Sequence, residues 1–239
     1  SKFGYAPTVV TVDPAAEIFE REFQADTSFD VDLGLARYST IRVPRRKPSR
    51  VTRMARRLNA YPYLWTIAYR RHYDPARGWA FDAAKAVRRR ADEEQFRLIY
   101  ASAGPVATLE ACSWLSEQLG VPWVADLRDL WTRDTLQFFP SRWHYLWASR
   151  FEKRLLNSAS AVIANTPLSA VRLTEWLGKH VGKRVFVIPN GFDRDDFDPR
   201  DRVDSVSSTS QPMTIVYAGT LYPPSEASSR TGRYRPAIG

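Results

Sequence analysis

The chain has 239 residues, 44% of them hydrophobic, with 8 Trp and 12 Phe, which is enough apolar material for a packed core and excludes a largely disordered protein. Its one cysteine, Cys112, excludes an internal disulfide, and no apolar run approaches the roughly 18 residues of a membrane-spanning helix. The net charge of +9 is local, because residues 45–97 hold 15 Lys and Arg against 5 Asp and Glu while the rest of the chain is nearly neutral, so a uniformly basic protein is also excluded.

The first part of the chain predicts short strands joined by irregular and basic segments. Residues 6–12 (APTVVTV) form a β-branched run typical of a strand. Residues 15–23 fit a short helix, and a second strand is expected near residues 41–43. Residues 50–73 are compatible with helix, apart from the break that Pro62 forces.

Strand and helix patterns then alternate regularly. Helical patterns cover residues 79–94, 106–119, 143–157 and 167–177. Short apolar strands are expected at residues 97–101, 121–125, 160–164 and 184–188. This rhythm predicts the α/β class, with a Rossmann-like parallel sheet whose crossovers are helices that flank it.

A polar, low-complexity stretch divides the chain near its end. Residues 205–212 (SVSSTSQP) predict a linker, and residues 213–218 (MTIVYA) predict one further strand. A lone strand buries no face without partners. The predicted organisation is therefore one domain at residues 1–204, a linker, and the incomplete start of a second domain at residues 213–239.

Ligands of parallel sheets bind at the carboxyl ends of the strands, which directs attention to four loops. After the fourth predicted strand, Asp126 and Asp129 offer carboxylates to the hydroxyls of a ligand, and Arg128 offers donors to a hydroxyl or phosphate. The alternative is an Arg–Asp pair that only pins the loop.

The loop after the third predicted strand contains Ser102, Gly104 and Pro105. Its glycine permits close approach of a ligand to the backbone, and the start of the following helix favours anions. The alternative is that the segment is simply a tight turn between strand and helix. Asn165 and Thr166 are expected to cap the helix that begins at Pro167, with contact to a ligand as the alternative.

The last of the four loops contains Pro189, Asn190 and Gly191. Asn-Gly favours a turn with positive φ, and we expect a hinge there rather than a ligand contact.

Residues 45–77 combine ten basic side chains with interleaved aromatics. Such a segment suits the headgroup region of an anionic membrane, whereas the alternatives are a solvated cationic helix face or, last, a nucleic-acid surface. The residues expected to dock on the membrane are Arg53, Arg56, Arg57, Trp65, Arg70 and Arg71.

No cofactor or metal is expected from the sequence. His72, His144 and His180 lack the spacing of zinc ligands, and there is no P-loop, nucleophile elbow or GxGxxG. Nucleic acid is not expected as a partner because no motif for it is present.

Three segments in this order resemble glycosyltransferase family 4, whose members have the GT-B fold. They are LIYASAGPVATLEACSWLSEQLGVPWVADLRDLW at 98–131, FEKRLLNSASAVIANTP at 151–167, and VFVIPNGFD at 185–193 followed by TIVYAGTL at 214–221. The resemblance covers residues 5–222, and the Asp-Leu-Arg-Asp-Leu-Trp run resembles bacterial members that build surface polysaccharides or lipid-linked glycans.

The resemblance implies a retaining transfer from a nucleotide sugar to a glycan or lipid-linked acceptor, without a required metal. It makes this chain the acceptor-side half of a two-domain enzyme, truncated at both ends and inactive alone. The single cysteine and the lack of a recognisable signal peptide fit a cytoplasmic protein, and the basic, aromatic segment at residues 45–77 suggests a peripheral position at the inner face of the membrane. The family's pair of donor-binding glutamates is not found here, and Gly219 and Thr220 are all that resembles the donor side. No catalytic base is assigned, and the alternative function is a non-catalytic module that binds a membrane or a partner.

Overall fold

The computed structural model describes residues 4–13, 38–45, 54, 57, 74, 76–104, 106–134 and 139–191. Six strands and five helices lie within these ranges. The fold class is α/β with parallel sheets flanked by helices, as the alternation of patterns predicts.

Four strands form the larger sheet, and they lie side by side in the order in which they follow along the chain. They are β3 (Ile99–Ala103), β4 (Trp123–Leu127), β5 (Ala161–Ala164) and β6 (Val185–Val187). Every neighbouring pair is parallel, so the carboxyl ends of all four strands lie along one edge.

Two further strands form a separate parallel sheet. β1 (Thr8–Val12) pairs with β2 (Ser39–Val43) in the register Thr8 to Ser39. The sequence predicts both strands, although it does not predict that they pair apart from the other four.

The helices that connect the strands begin and end at the expected kinds of residue. α1 (Arg77–Arg90) precedes β3, and α2 (Ala107–Leu119) ends at Gly120, whose φ of 65° suits glycine. α3 is Arg142–Ser158 and begins after Ser141, whose hydroxyl accepts a hydrogen bond from His144 N. The last two are α4 (Pro167–Leu177) and the short α5 (Lys179–Gly182).

The main core lies between the larger sheet and these helices. β4 and β5 are buried along almost their whole length, as expected for central parallel strands covered on both faces. Trp123 of β4 packs in the same cluster as Leu156 of α3 and Leu173 of α4, and each side chain is at most 1% exposed. This burial fixes the sheet and therefore the edge at which its strands end.

Two boundary predictions are wrong in a way that affects the site. Ser102 and Asp126 were expected in loops, but they are the fourth residues of β3 and β4 and lie opposite each other in the register. β4 continues through Asp126 because the carboxylate has partners inside the fold, the Tyr100 hydroxyl and the Arg128 guanidinium. A buried charge that is paired in this way can lie within a strand.

Several other predictions concern residues outside the described ranges. They include Pro105, Gly219, Thr220, the linker, the strand at 213–218, and the proposed membrane residues except Arg57, which is helical and exposed. Within the described ranges, no helix has both the length and the apolar character that crossing a membrane requires.

Candidate functional site

The loops that the sequence nominates meet at the carboxyl edge of the larger sheet. Ser102 lies opposite Asp126, and Leu127 lies opposite Ala164 in the register. The chain leaving β6 stays on the same edge, because Ile188 N donates to Ala164 O at 3.0 Å. The exits of β3, β4, β5 and β6 are therefore neighbours.

Asp126 is the buried centre of this edge. Its side chain is 2% exposed, and its Oδ2 accepts a hydrogen bond from the Tyr100 hydroxyl at 2.6 Å. The same oxygen lies 3.1 Å from Arg128 Nε. Partial burial of the phenol, followed by this hydrogen bond, raises the pKa of Tyr100 to about 12, so the phenol stays a donor at neutral pH.

Arg128 joins two of the loops. Its Nη1 donates to Asn190 Oδ1 at 2.5 Å, which connects the segment after β4 to the segment after β6. Its side chain is nevertheless 47% exposed. We call Tyr100, Asp126, Arg128 and Asn190 the rim cluster.

The structure therefore contains the Arg–Asp pair that was the alternative for this loop. The pair orients a half-exposed guanidinium at the edge, so pinning the loop and presenting donors are compatible roles for Arg128. Asp129 is exposed next to it.

The remaining site residues lie on neighbouring segments at the same edge. Ser102 and Gly104 are exposed, and Gly104 has φ 131°, a conformation that glycine adopts far more easily than other residues. Asn165 is half-buried after β5, whereas Pro189 and Gly191 are exposed beside Asn190.

The prediction for Asn190 and Gly191 needs a correction. Among the described glycines, positive φ occurs at Gly4, Gly104, Gly120 and Gly178 and not at Gly191. The Asn190 side chain is held by Arg128, so a side-chain contact fixes the direction of this segment and no left-handed turn is needed.

Thr166 caps α4. Its Oγ1 accepts a hydrogen bond from Ser169 N at 3.1 Å, and its backbone is extended, as at a helix N-cap.

We predict that Thr166→Ala lowers the free energy of unfolding by about 1 kcal/mol, because the N–H of Ser169 loses its acceptor. Thr166→Ser keeps a hydroxyl at this position and should therefore have nearly the stability of the wild type. Urea unfolding of both variants measures this, and equal stability of all three proteins would contradict the capping role.

The segment that follows Arg128 is anchored to α3 by a buried acid. Glu152 is 1% exposed, and its Oε2 accepts hydrogen bonds from the backbone N of Thr132, at 3.0 Å, and from the Thr132 hydroxyl. Burial raises the pKa of Glu152, although the hydrogen bonds from Thr132 oppose that shift.

Arg133 anchors the same segment through aromatic rings. Its guanidinium lies 4.8 Å from the centre of the Trp176 ring and 5.5 Å from that of Tyr145, and it donates to Ser149 Oγ at 3.1 Å. The segment after β4 is thus held at two points, by the rim cluster at Arg128 and by α3 and α4 at Thr132 and Arg133.

Sequence reasoning missed four residues that organise the site: Tyr100, Thr132, Arg133 and Glu152. Tyr100 had a usable signal, because it is two residues before Ser102 in a strand and therefore lies on the same face. The other three form contacts with residues at least 12 positions away in the chain, which no local pattern predicts.

Within the described residues there is no group of three or more His, Cys, Asp or Glu that could hold a metal ion. The chemistry that these residues supply is hydrogen bonding. The rim cluster presents guanidinium donors and the nearby Asp129 carboxylate to whatever lies against the edge.

Comparison with known proteins gives three findings. A sequence model described as Glycosyltransferase Family 4 matches residues 1–196. No curated protein matches the chain. One solved structure that matches is HepE of Anabaena, crystallised in complex with UDP and glucose; it is 20% identical, the match covers 81% of this chain and 47% of HepE, and the TM-score is 0.41. The chain thus matches about half the length of that protein.

Proposed function

This chain belongs to glycosyltransferase family 4, and we propose that residues 1–204 form the acceptor-side domain of a retaining, nucleotide-sugar-dependent glycosyltransferase. In this proposal residues 205–212 are the linker and residues 213–239 begin the donor-binding domain. The acceptor is a glycan or a lipid-linked glycan of surface polysaccharide synthesis, and the transfer requires no metal.

The observation that carries the proposal is the position of Arg128 in the rim cluster. A guanidinium has five N–H donors, and Asp126 and Asn190 engage it through Nε and Nη1. Within the described residues, donors therefore remain for an acceptor hydroxyl or phosphate. Two fixed partners also hold the guanidinium in place, which reduces the conformational entropy lost on binding.

The proposed roles follow from this arrangement. Arg128 and Asp129 orient the acceptor at the edge of the sheet so that one hydroxyl points away from this domain, toward the donor. In the transfer, that oxygen forms a bond to the anomeric carbon, the bond from this carbon to the nucleotide phosphate breaks, and the hydroxyl proton is released. The described side chains bind and orient the acceptor, and we assign none of them as the base.

Titration of residues 1–239 with two classes of ligand tests this division of labour. Ligand-observed NMR with glucose, galactose, mannose and N-acetylglucosamine is expected to show saturable, weak binding, whereas calorimetry with UDP-, GDP- and dTDP-sugars is expected to show no heat of binding. Micromolar binding of a nucleotide sugar would contradict the assignment of donor recognition to another domain. Absence of binding by every saccharide would contradict the acceptor-side role.

We further propose that the protein is cytoplasmic and docks on the anionic inner face of a membrane, where a lipid-linked acceptor would be found. Support comes from the local charge of residues 45–97, from the exposed Arg57, and from Trp143, which is 78% exposed at the start of α3 beside the exposed Arg142. We expect co-sedimentation with vesicles containing phosphatidylglycerol that is lost at 0.5 M salt. Equal partition onto neutral and anionic vesicles would contradict this electrostatic docking.

A further inference from the structure

An open pocket of about 410 Å³ lies on the first turns of α3. Its lining residues all belong to α3 or to its N-cap, and they are Ser141, Trp143, His144, Leu146, Trp147 and Arg150. Residues 143, 146, 147 and 150 are three or four positions apart, so they share one face of the helix. We call this site the α3 pocket. None of its lining residues belongs to the rim cluster.

Two tryptophans form the walls of the α3 pocket. Trp143 is 78% exposed, whereas Trp147 is half-buried and packs against the small core cluster around Phe139 and Tyr145. The Trp147 ring also stacks on Phe151, with the ring centres 6.0 Å apart and an angle of 10° between the planes. The pocket therefore has one fixed aromatic wall and one wall whose ring is open to a ligand.

The opposite face of α3 holds the helix in place. The Tyr145 hydroxyl and Ser149 Oγ accept hydrogen bonds from Arg133, and Glu152 on the same face accepts from Thr132. Because these contacts fix the rotation of the helix, the tryptophans keep their direction without a ligand. A site that is already formed loses less conformational entropy on binding.

The charge around the α3 pocket is positive. Arg142, Arg150 and Arg154 are exposed on α3, whereas Glu152, the single acid of this helix, is 1% exposed and bonded to Thr132 on the opposite face. None of the described residues that line the pocket is acidic. The charge is therefore complementary to an anionic ligand.

The α3 pocket lies toward the same edge of the larger sheet as the rim cluster. A helix that joins two parallel strands runs back along them, and Ser160 N, just after α3, donates at 2.8 Å to the carbonyl oxygen of Trp123, the first residue of β4. α3 has 17 residues, about 25 Å, whereas β4 has 5, about 16 Å. The first turns of α3 therefore reach the carboxyl edge.

This combination of groups fits an acidic sugar. A pyranose ring has an apolar face of C–H groups, which stacks on an indole, and its carboxylate or phosphate substituents pair with a guanidinium. The pocket is concave and of a size that holds a small ligand, which favours separate rings over the flat surface of a bilayer. An anionic bilayer is the rival occupant, and the test below includes it.

We propose that the α3 pocket is a second glycan-binding site that takes an acidic unit of the acceptor. Trp143 and Trp147 stack on the sugar ring, and Arg150 binds its anionic group. The reacting end of the same acceptor lies at the rim cluster, so the two sites together select a longer, acidic glycan. This inference rests on the proposed function, because the glycan that it describes is the acceptor of that transfer.

The test titrates residues 1–239 with two matched sugars, a mannuronate hexamer and the neutral mannose hexamer of the same linkage. The chain carries fluorotryptophan, and Trp143→Phe identifies the fluorine NMR signal of Trp143 among the 8 tryptophans. The acidic hexamer is expected to shift this signal saturably and to bind at least tenfold more tightly than the neutral hexamer. Absence of a shift with both hexamers would overturn the proposal.

Three exposed variants localise the binding. Trp143→Ala is expected to weaken the acidic hexamer about tenfold, because a stacked ring is lost. Tyr5→Ala is the matched control, since Tyr5 is also aromatic, is 76% exposed and does not line the pocket. Arg150→Gln should remove most of the preference for the acidic hexamer and leave the neutral one unchanged. Equal affinities of Trp143→Ala and Tyr5→Ala for the acidic hexamer would overturn the proposal.

Two further outcomes separate this inference from the proposed function. A Trp143 signal that moves with phosphatidylglycerol vesicles but with neither hexamer would overturn the inference and leave saccharide binding at the rim cluster intact. In Arg128→Ala the acidic hexamer should still shift the Trp143 signal, because the two sites share no residue. A shift of Trp143 without any saccharide effect at Ser102 or Arg128 would keep the glycan site and contradict the acceptor-side role of the rim cluster.

Discussion

Glu152→Ala is expected to lower the free energy of unfolding by about 2–4 kcal/mol. The substitution leaves two buried donors, the backbone N–H and the hydroxyl of Thr132, without their acceptor, and it opens a cavity between α3 and the loop after β4. Urea unfolding at pH 7 measures the loss. Glu152→Gln is the matched control, because its amide oxygen still accepts from Thr132, and it should lose less stability than the alanine variant. A loss below about 1 kcal/mol for Glu152→Ala would contradict the anchoring role.

The pH dependence of this effect has a defined sign. Burial raises the pKa of Glu152 in the folded state, so the folded protein holds the proton more tightly than the unfolded chain. The stabilising contribution of the protonated carboxyl is complete below the unfolded pKa of about 4.3 and is lost as pH rises through the folded pKa. Relative to Glu152→Gln, the wild type should therefore lose stability as pH rises above about 4. Parallel stability curves for the two proteins would contradict a raised pKa.

Arg128→Ala is expected to weaken saccharide binding about tenfold to a hundredfold, because this is the usual effect of losing one hydrogen bond from a charged donor. Arg90→Ala is a closely matched control. Both arginine side chains are 47% exposed and each is paired with one carboxylate, Asp126 for Arg128 and Glu94 for Arg90. Arg90, however, lies at the end of α1, before the amino end of β3 and away from the rim cluster.

Titrations of the two variants by ligand-observed NMR give the comparison. Because Arg128→Ala removes the cationic partner of the buried Asp126 carboxylate, which keeps the Tyr100 hydroxyl as a donor, some loss of stability is expected, and urea unfolding of both variants checks that the titrations are made on folded protein. Equal affinities of the two variants would remove Arg128 from the acceptor site.

The sequence predicts the part of this protein that depends on local pattern. Helices α2 and α4 have strong apolar periods and clear signals at their ends. Gly120 follows the last residue of α2, and Pro167 is the first residue of α4. Their predicted bounds agree closely with the structure. The convergence of the four loops follows from the parallel topology alone, since parallel strands end on the same edge. The family resemblance is confirmed by the match over residues 1–196.

What the sequence does not predict is set by contacts between distant segments. Asp126 looks like a loop residue because it is charged, yet Tyr100, 26 positions earlier, gives its carboxylate a donor inside the sheet. Arg128 meets Asn190, 62 positions later, only because β5 lies between β4 and β6. The separation of β1 and β2 from the larger sheet likewise depends on which strands pair with each other, and the alternation of apolar residues along a strand does not predict its partner.

In the proposed function, one edge of the larger sheet, built around the rim cluster, binds the acceptor. The most direct test is a chemical-shift map of the isotope-labelled chain during titration with the saccharide that binds best. We predict that the largest shifts fall on Ser102, Arg128, Asn165 and Asn190, at the carboxyl ends of the strands. Largest shifts at the opposite edge, near Pro122 and Ser160, would contradict the account.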